Sequence, residues 1–474
     1  MNAPTNINQT NKDDITQLLS RYDIPSIKRY QKRSRSPSDK HLPGDNGMPV
    51  IGHLYPFLTN LHDWLNHQYQ TYGPIFKFRT PIIKGVYLIG PEANKLVFQN
   101  EGQLFSNFLA WEPTFNNLFD NNLLQRDFRD HKTHRKILQQ AFKRQAIEGH
   151  MSLMNPLLKQ GVSTLRSGQK IKAMDFVKQL LLKTGSEVFL GLETGPLADK
   201  LNRAFTDIVN GTADPIRSKQ LWFTPYAKGV KGNRLITDFI FNNIEKRRLT
   251  ESRDMFSHLC HIRDEEGNLI SDEQVKDHLI FLLFAAHDTT TSALSAILYS
   301  LAANQQWQQT LRNEMLSLSK DAVEFDDLDK LEKTGWTINE ALRMYPALHS
   351  IPRQALRDFE FNGHLVPANT NVLLSTLLTH YLPEYWSSPH TFDPYRFSPQ
   401  RAEDKKDFYQ YIPFGGGAHK CLGLHFAQLQ SKMFLFYLLT HYQITKSPKM
   451  TKYKYNNVPL TFPTDGLPLT FTRI

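Results

Sequence analysis

A mainly α-helical fold with a minor β region, built around one long central helix, is what this sequence predicts. Three observations carry the expectation. An apolar pattern opened by the capping box Ser271-Asp272-Glu273-Gln274 continues to Ala303, on the order of 30 residues and far beyond an average helix. The stretch from Met151 to Arg248 is patterned as helix with few breaks. Strand-like runs are short: Ile75 to Arg79 and Gly85 to Ile89 read as one hairpin, closed by Gly90-Pro91.

The chain has 474 residues and only two cysteines, too few for a disulfide framework, which points to a reducing compartment. Residues 1–42 are polar and basic without an apolar run, so a loosely ordered tail is expected ahead of a single domain spanning 43–474. No secretory signal or membrane anchor is expected, and a cytoplasmic location follows. The net charge of +10 suits nucleic acid, an anionic membrane or an acidic protein partner, or simply a solvated basic surface. Helix-turn-helix, zinc-finger and RNA-recognition patterns are missing, which sets nucleic acid aside.

Taken in order, Pro43 to Gly52 strings prolines and glycines into a turning lead-in. After the hairpin, Glu92 to Gln99 restarts a helix. From Phe105 to Leu124 regular patterning fails while Phe105, Phe108, Trp111, Phe115 and Phe119 accumulate, as core cover under a loop or as the wall of an apolar pocket. Phe128 to Phe142 reads as a basic helix, with Arg129, Lys132 and Lys136 on one face and His131 and Arg135 on another. Pro215, the cluster from Leu221 to Tyr226, and Gly229 and Gly232 interrupt the middle helices.

Within the long helix, Asp288-Thr289-Thr290 is costly in so buried an element unless paired, and a mid-helix threonine can bond back to the backbone. Glu340 and Arg343, three apart on one helical face, can pair. The stretch Phe414-Gly415-Gly416-Gly417-Ala418-His419-Lys420-Cys421-Leu422-Gly423 then sets a cysteine behind three glycines, ahead of a helix that continues from Gln428 to Thr440. Glycines permit positive φ and let a flat ligand approach. The N–H groups at a helix mouth stabilise a thiolate, a soft metal ligand. Taken alone, such a cysteine is more often a small buried hydrophobe than a ligand.

This ten-residue loop resembles the haem-binding loop of the cytochromes P450. Three further stretches agree with it in order and spacing: Asp288-Thr289, Glu340-x-x-Arg343, and Phe392-Asp393-Pro394-Tyr395-Arg396-Phe397. The resemblance covers residues 43–474 and implies a haem-thiolate monooxygenase that uses O2. Cys421 would be the axial ligand of haem b, the thiolate that favours O–O cleavage. Asp288 and Thr289 would guide protons to dioxygen. His131, Arg135, Arg353 and His419 would meet the propionates, with Phe414 opening the loop, and Glu340, Arg343 and Arg396 would lock the structure behind the haem.

Two departures stand out: Ala286 replaces the usual glycine and should narrow the oxygen groove. His419 replaces the usual arginine and should hold a propionate less firmly and more pH-dependently. Phe105, Phe108, Trp111, Leu283, Ala285, His287 and Ile351 are the candidate substrate-pocket residues. The break around residues 221–226 would be a lid. With no flavin or iron–sulfur motif in the chain, electrons would come from a ferredoxin or similar acidic protein on the Arg129, Lys132 and Lys136 face. A lipophilic substrate is expected: fatty acid, terpenoid, retinoid or steroid. The rivals are a peroxide-driven peroxygenase, whose members commonly carry arginine and proline in place of the acid-threonine pair, and a non-catalytic haem- or lipid-binding protein.

Overall fold

The computed structural model describes residues 15–33, 38–115, 118–214, 216–217 and 221–474. Its N-terminal part departs from the expected loose tail. Residues 15–21 are helical and helix α1 (Ile24–Arg33) follows. Ile15, Leu19 and Ile27 are buried against Phe108, Leu109 and Leu356. Ile15, Leu18, Leu19 and Tyr22 recur at helical spacing, so a narrow apolar stripe is hidden in a basic segment.

The expected hairpin forms as β1 (Ile75–Arg79) and β2 (Lys84–Leu88). Helix α2 (Pro91–Gln99) leads to β3 (Phe105–Ser106), which joins β4 (Ser350–Ala355) and β5 (Asn371–Ser375) in one sheet. The strand order is β1-β2-β5-β4-β3, with β2 and β5 parallel and the other pairs antiparallel.

The aromatic stretch is more regular than its pattern suggested: it holds helix α3 (Phe108–Phe115), with Pro113 inside. Helix α4 (Phe128–Gln139) ends in a tight turn, Gln140–Phe142. Helices α5 (Arg144–Ser163), α6 (Ala173–Leu190), α7 (Pro196–Thr212) and α8 (Pro225–Leu249) fill the middle. The break between α7 and α8 exposes Trp222 and Phe223, while Pro215 lies outside the described residues. Gly229 and Gly232 do not interrupt α8. Both are buried, and a Cβ on either would press into the α7 backbone at Asp207 or Ala204, so they let two helices pack closely.

Helix α9 (Asp272–Ala303) is the axis of the molecule. Its capping box forms in full: Gln274 N–H donates to Ser271 Oγ at 3.2 Å, and Ser271 N–H to Gln274 Oε1 at 2.9 Å. Among the described residues it alone is long and apolar enough to cross a bilayer, yet it is a core helix, packed on α6, α8, α10 (Glu332–Met344) and α11 (Leu424–Leu439). A second sheet of Gln169–Lys172, Tyr442–Lys446 and Pro468–Arg473 closes the C-terminal side.

Candidate active site

The cysteine loop is shaped from behind by α2. Gly415 and Gly417 take φ of 67° and 61°. A Cβ on Gly416 would strike the Phe98 ring, and one on Gly417 would collide with the Phe98 carbonyl. These two glycines therefore serve the packing of the loop on α2 rather than the approach of a ligand. Gly415 keeps the open side, where an added Cβ would meet only Ile351, at 3.8 Å. The Cys421 N–H donates to the Phe414 carbonyl at 2.9 Å, closing the loop on itself. Cys421 is exposed to solvent. Burial pushes its thiol upward, while the Gly423 N–H, Arg135 and Lys420 act the other way.

A basic rim stands beside it. The His131 ring of α4 lies on the His419 ring, centroids 3.8 Å apart. Burial, then Arg135 and Arg353, bring His131 down to about 3. Burial, then His131, Arg353 and Arg135, hold His419 well below the usual histidine range. Arg353, on β4, is buried and brought down to about 10 by that burial, against the pull of Asp127. Asp127, directly before α4, is raised to about 6 by burial although it receives Ser106 Oγ–H and the N–H groups of Asn107 and Phe108. Its Oδ1 lies 3.8 Å from His419 Nε2.

Two guanidiniums and two neutral imidazoles thus stand together with Asp127 as the acid beside them, and the buried His131 Nε2 has no hydrogen-bond partner. A soft axial ligand with cationic groups short of anions fits an iron macrocycle that carries two carboxylates. The residues present fit haem.

On the distal side, Ala285 and Thr289 share one half-buried face of α9, and Thr289 Oγ–H donates to the Ala285 carbonyl at 2.6 Å. Asp288 is turned sideways: its Oδ1 lies 2.8 Å from His287 Nδ1 and 3.5 Å from Lys178 Nζ on α6. Burial pushes that carboxyl up, but His287 and Lys178 outweigh it and leave it below the usual range. Above α9 sits an aromatic cap. Trp111 stacks on Phe115 at 5.3 Å, and Phe115 and Phe119 meet Phe284 at 5.4 and 4.5 Å. Phe284 was not anticipated from sequence.

Four of the candidate pocket residues lie elsewhere. Phe105 packs inward on Phe359 at 5.0 Å, beneath the sheet, and Phe108 faces the N-terminal helices. Leu283 and His287 occupy the far face of α9, where they line a small cavity with Leu181 and Phe205. Ala286 lines that same cavity, so its methyl group is not set against the Ala285–Thr289 face. Trp111 belongs to the aromatic cap, Ala285 lies on the Thr289 face of α9, and Ile351 is what an added Cβ on Gly415 would meet.

Behind the loop, Arg343 Nε and Nη2 donate to Glu340 at 2.7 and 2.9 Å, and Arg396 Nε donates to Glu340 Oε1 at 3.2 Å, all three residues being fully buried. Two further members were missed in the sequence: His380, which bridges Arg343 and Ile412, and Glu403, which binds Arg396. Neither carries a local pattern that could have revealed it.

The family model for cytochrome P450 matches residues 42–471. The chain belongs to the cytochrome P450 family. Its sequence is 33% identical over 437 residues to a putative cytochrome P450 136 of Mycobacterium tuberculosis, covering 91% of this chain and 88% of that one. It is 26% identical to a taxane 13-alpha-hydroxylase of Taxus cuspidata, over 93% of each chain. In structure it is similar to a retinoic acid-bound cyanobacterial CYP120A1, with a TM-score of 0.80 and 25% identity, over 91% of this chain and 99% of the other. This cytochrome P450 is accordingly a haem-dependent monooxygenase that takes O2, a lipophilic substrate and electrons from a redox partner.

Proposed function

We propose that this cytochrome P450 hydroxylates a ring-bearing isoprenoid, a terpenoid or retinoid, in preference to a fatty acid or steroid. It acts in the cytoplasm with electrons from a ferredoxin or similar small acidic protein. The aromatic cap carries this reading: Trp111, Phe115, Phe119 and Phe284 form stacked and tilted pairs over α9. Such a surface favours a rigid or conjugated skeleton over a flexible chain, because ring contacts add to the burial of area and less ligand entropy is lost. The retinoic acid of the CYP120A1 structure and the taxane relative support the same class.

Bound haem supplies the activation of dioxygen. Cys421 Sγ would hold its iron, and Arg135, Arg353, His131 and His419 would hold its propionates. The aromatic cap excludes water. Thr289 has its hydroxyl proton engaged by the Ala285 carbonyl, so its oxygen lone pairs are left to accept from a protic group in the cavity. Asp288, held between His287 and Lys178, passes protons from the α6 side of the helix toward Thr289.

For the electron donor, Arg129, Lys132 and Lys136 are all exposed on the α4 face, Lys136 being paired with Glu265 at 2.5 Å, and Lys420 of the cysteine loop is exposed as well. The test of substrate class is a binding titration followed by turnover. Retinoic acid, a cyclic terpene, a steroid and a long-chain fatty acid are compared by the shift of the Soret band and by a product one oxygen heavier. Oxidation of the terpene or retinoid with little response to the fatty acid is expected. A fatty acid bound and oxidised best would overturn the reading.

A further inference from the structure

We propose that Glu403 is a positioning residue for the haem thiolate: it neutralises the charged lock behind the cysteine loop and fixes where the strand of chain leading to Cys421 begins. The inference rests on the thiolate reading of Cys421.

The argument starts from charge. Glu340 faces two guanidiniums, those of Arg343 and Arg396, and all three are buried. Taken alone they leave one uncompensated positive charge in the interior, which is strongly unfavourable. Glu403, 4% exposed, meets that surplus, its Oε2 lying 3.0 Å from Arg396 Nη1. Ser387 N–H and Oγ–H donate to the same carboxylate at 3.2 and 2.8 Å, so its oxygens are satisfied as well as paired. Arg401, 37% exposed, binds Glu403 on one side and Asp393 on the other. The set closes with Glu340, Glu403 and Asp393 against Arg343, Arg396 and Arg401. Burial pushes the Glu403 carboxyl up, but Arg401, Ser387 and Arg396 outweigh it and bring it to about 2, so the charge is present at any working pH.

Position follows from the backbone. The buried Gln410 side chain donates to the Glu403 carbonyl. Two residues on, Ile412 N–H donates to His380 Nε2, and His380 is itself held by Arg343. Residues 410–412 are thus tied at two points, one through Glu403 and one through the Arg343 side. The next step is Phe414, whose carbonyl receives the Cys421 N–H.

The test uses the full-length holoprotein with E403Q, E403D and R401Q. The readouts are the lifetime of the thiolate-type carbon monoxide band after reduction, and hydrogen exchange in peptides covering residues 407–421. In E403Q, which keeps the shape and loses the charge, exchange there should speed up by about a hundredfold and the thiolate band should decay sooner. E403D should restore both, and R401Q, at the rim, should change them far less. E403Q failing to accumulate with haem while E403D behaves as the parent is the same result in stronger form. E403Q indistinguishable from the parent would overturn the proposal, as would E403D as impaired as E403Q, since the charge would then not be the cause. A parent without a thiolate band would instead undo the reading of Cys421, whatever the variants do.

Discussion

Arg343 and His380 bond to each other twice, guanidinium Nη1 to the His380 carbonyl at 2.7 Å and ring Nδ1 to the Arg343 carbonyl at 3.2 Å. The second bond fixes the tautomer: Nδ1 carries the proton, and the bare Nε2 accepts the Ile412 N–H at 3.0 Å. A side chain with no part in the chemistry thus transmits the position of the lock to the cysteine loop. Substituting H380F removes the acceptor and leaves the Ile412 N–H buried and unpaired. The expected loss of stability is about 1–3 kcal/mol, read from urea unfolding of the holoprotein, together with a weaker thiolate band.

Acid should destabilise the fold well before most of the carboxylates titrate. Burial holds His380 at about 3 and His150 and His349 at about 4, whereas each titrates near 6.5 when unfolded. Below about pH 6.5 the unfolded chain therefore binds more protons than the folded one. Stability should be at its full value above that pH and fall steadily toward pH 4, by about 1.4 kcal/mol per unit for each such histidine. A urea midpoint that stays flat between pH 7 and pH 4.5 would show that these rings are not buried neutral.

Replacing Thr289 by alanine should separate oxygen uptake from product formation. Oxygen consumption should persist while product falls by about a hundredfold or more and peroxide accumulates, since the acceptor that positions a protic group in the cavity is lost and positioned proton transfer is worth that much. D288N should slow turnover by a similar factor without releasing as much peroxide. K178M, which removes the ammonium 3.5 Å from Asp288 Oδ1, should raise the pH at which activity is half lost on the acid side. Parallel measurement of O2, peroxide and product distinguishes the three.

Charge reversal on α4 should act on the donor rather than the substrate. R129E/K132E should lower the rate with an acidic carrier by about tenfold at low ionic strength, with the difference shrinking as salt is added. Substrate-induced Soret shifts should be unchanged. An equal loss at all salt concentrations would mean that this face does not dock the donor.

Much of this was legible in local patterns. The capping box, the length of α9, the hairpin and the Glu340–Arg343 spacing all depend on residues within a few positions of one another, and each is present in the structure. The pocket was read less well. Ala285 and Thr289 are four apart, as are Leu283 and His287, and the two pairs are half a turn out of phase. Helical phase alone therefore showed that both pairs could not face one cavity. The aromatic run misled for another reason: Phe105 and Phe108 are as apolar as Trp111, and only the docking of the sheet and of α1 decides which ring faces inward. The His380 ring and the Asp127 carboxylate were invisible because their hydrogen-bond partners lie 19 or more residues away, and Glu403 because its seven-residue separation from Arg396 is not a spacing at which helical or strand side chains pair. The glycines of the cysteine loop were read correctly as a backbone requirement, but the crowding comes from Phe98 rather than from a ligand.

The similarity to cytochrome P450 begins at residue 42, and a shortened protein cut at that point would look complete on paper. It would not be complete as a folding unit. Ile15, Leu19 and Ile27 roof Phe108 and Leu109 at the start of α3, and Trp111 is one turn further along that same helix. Cutting away the first 41 residues would uncover that apolar surface and loosen the wall proposed to hold substrate. On the proposed pocket, the poorly patterned end of the chain would have a bearing on which molecules the enzyme admits.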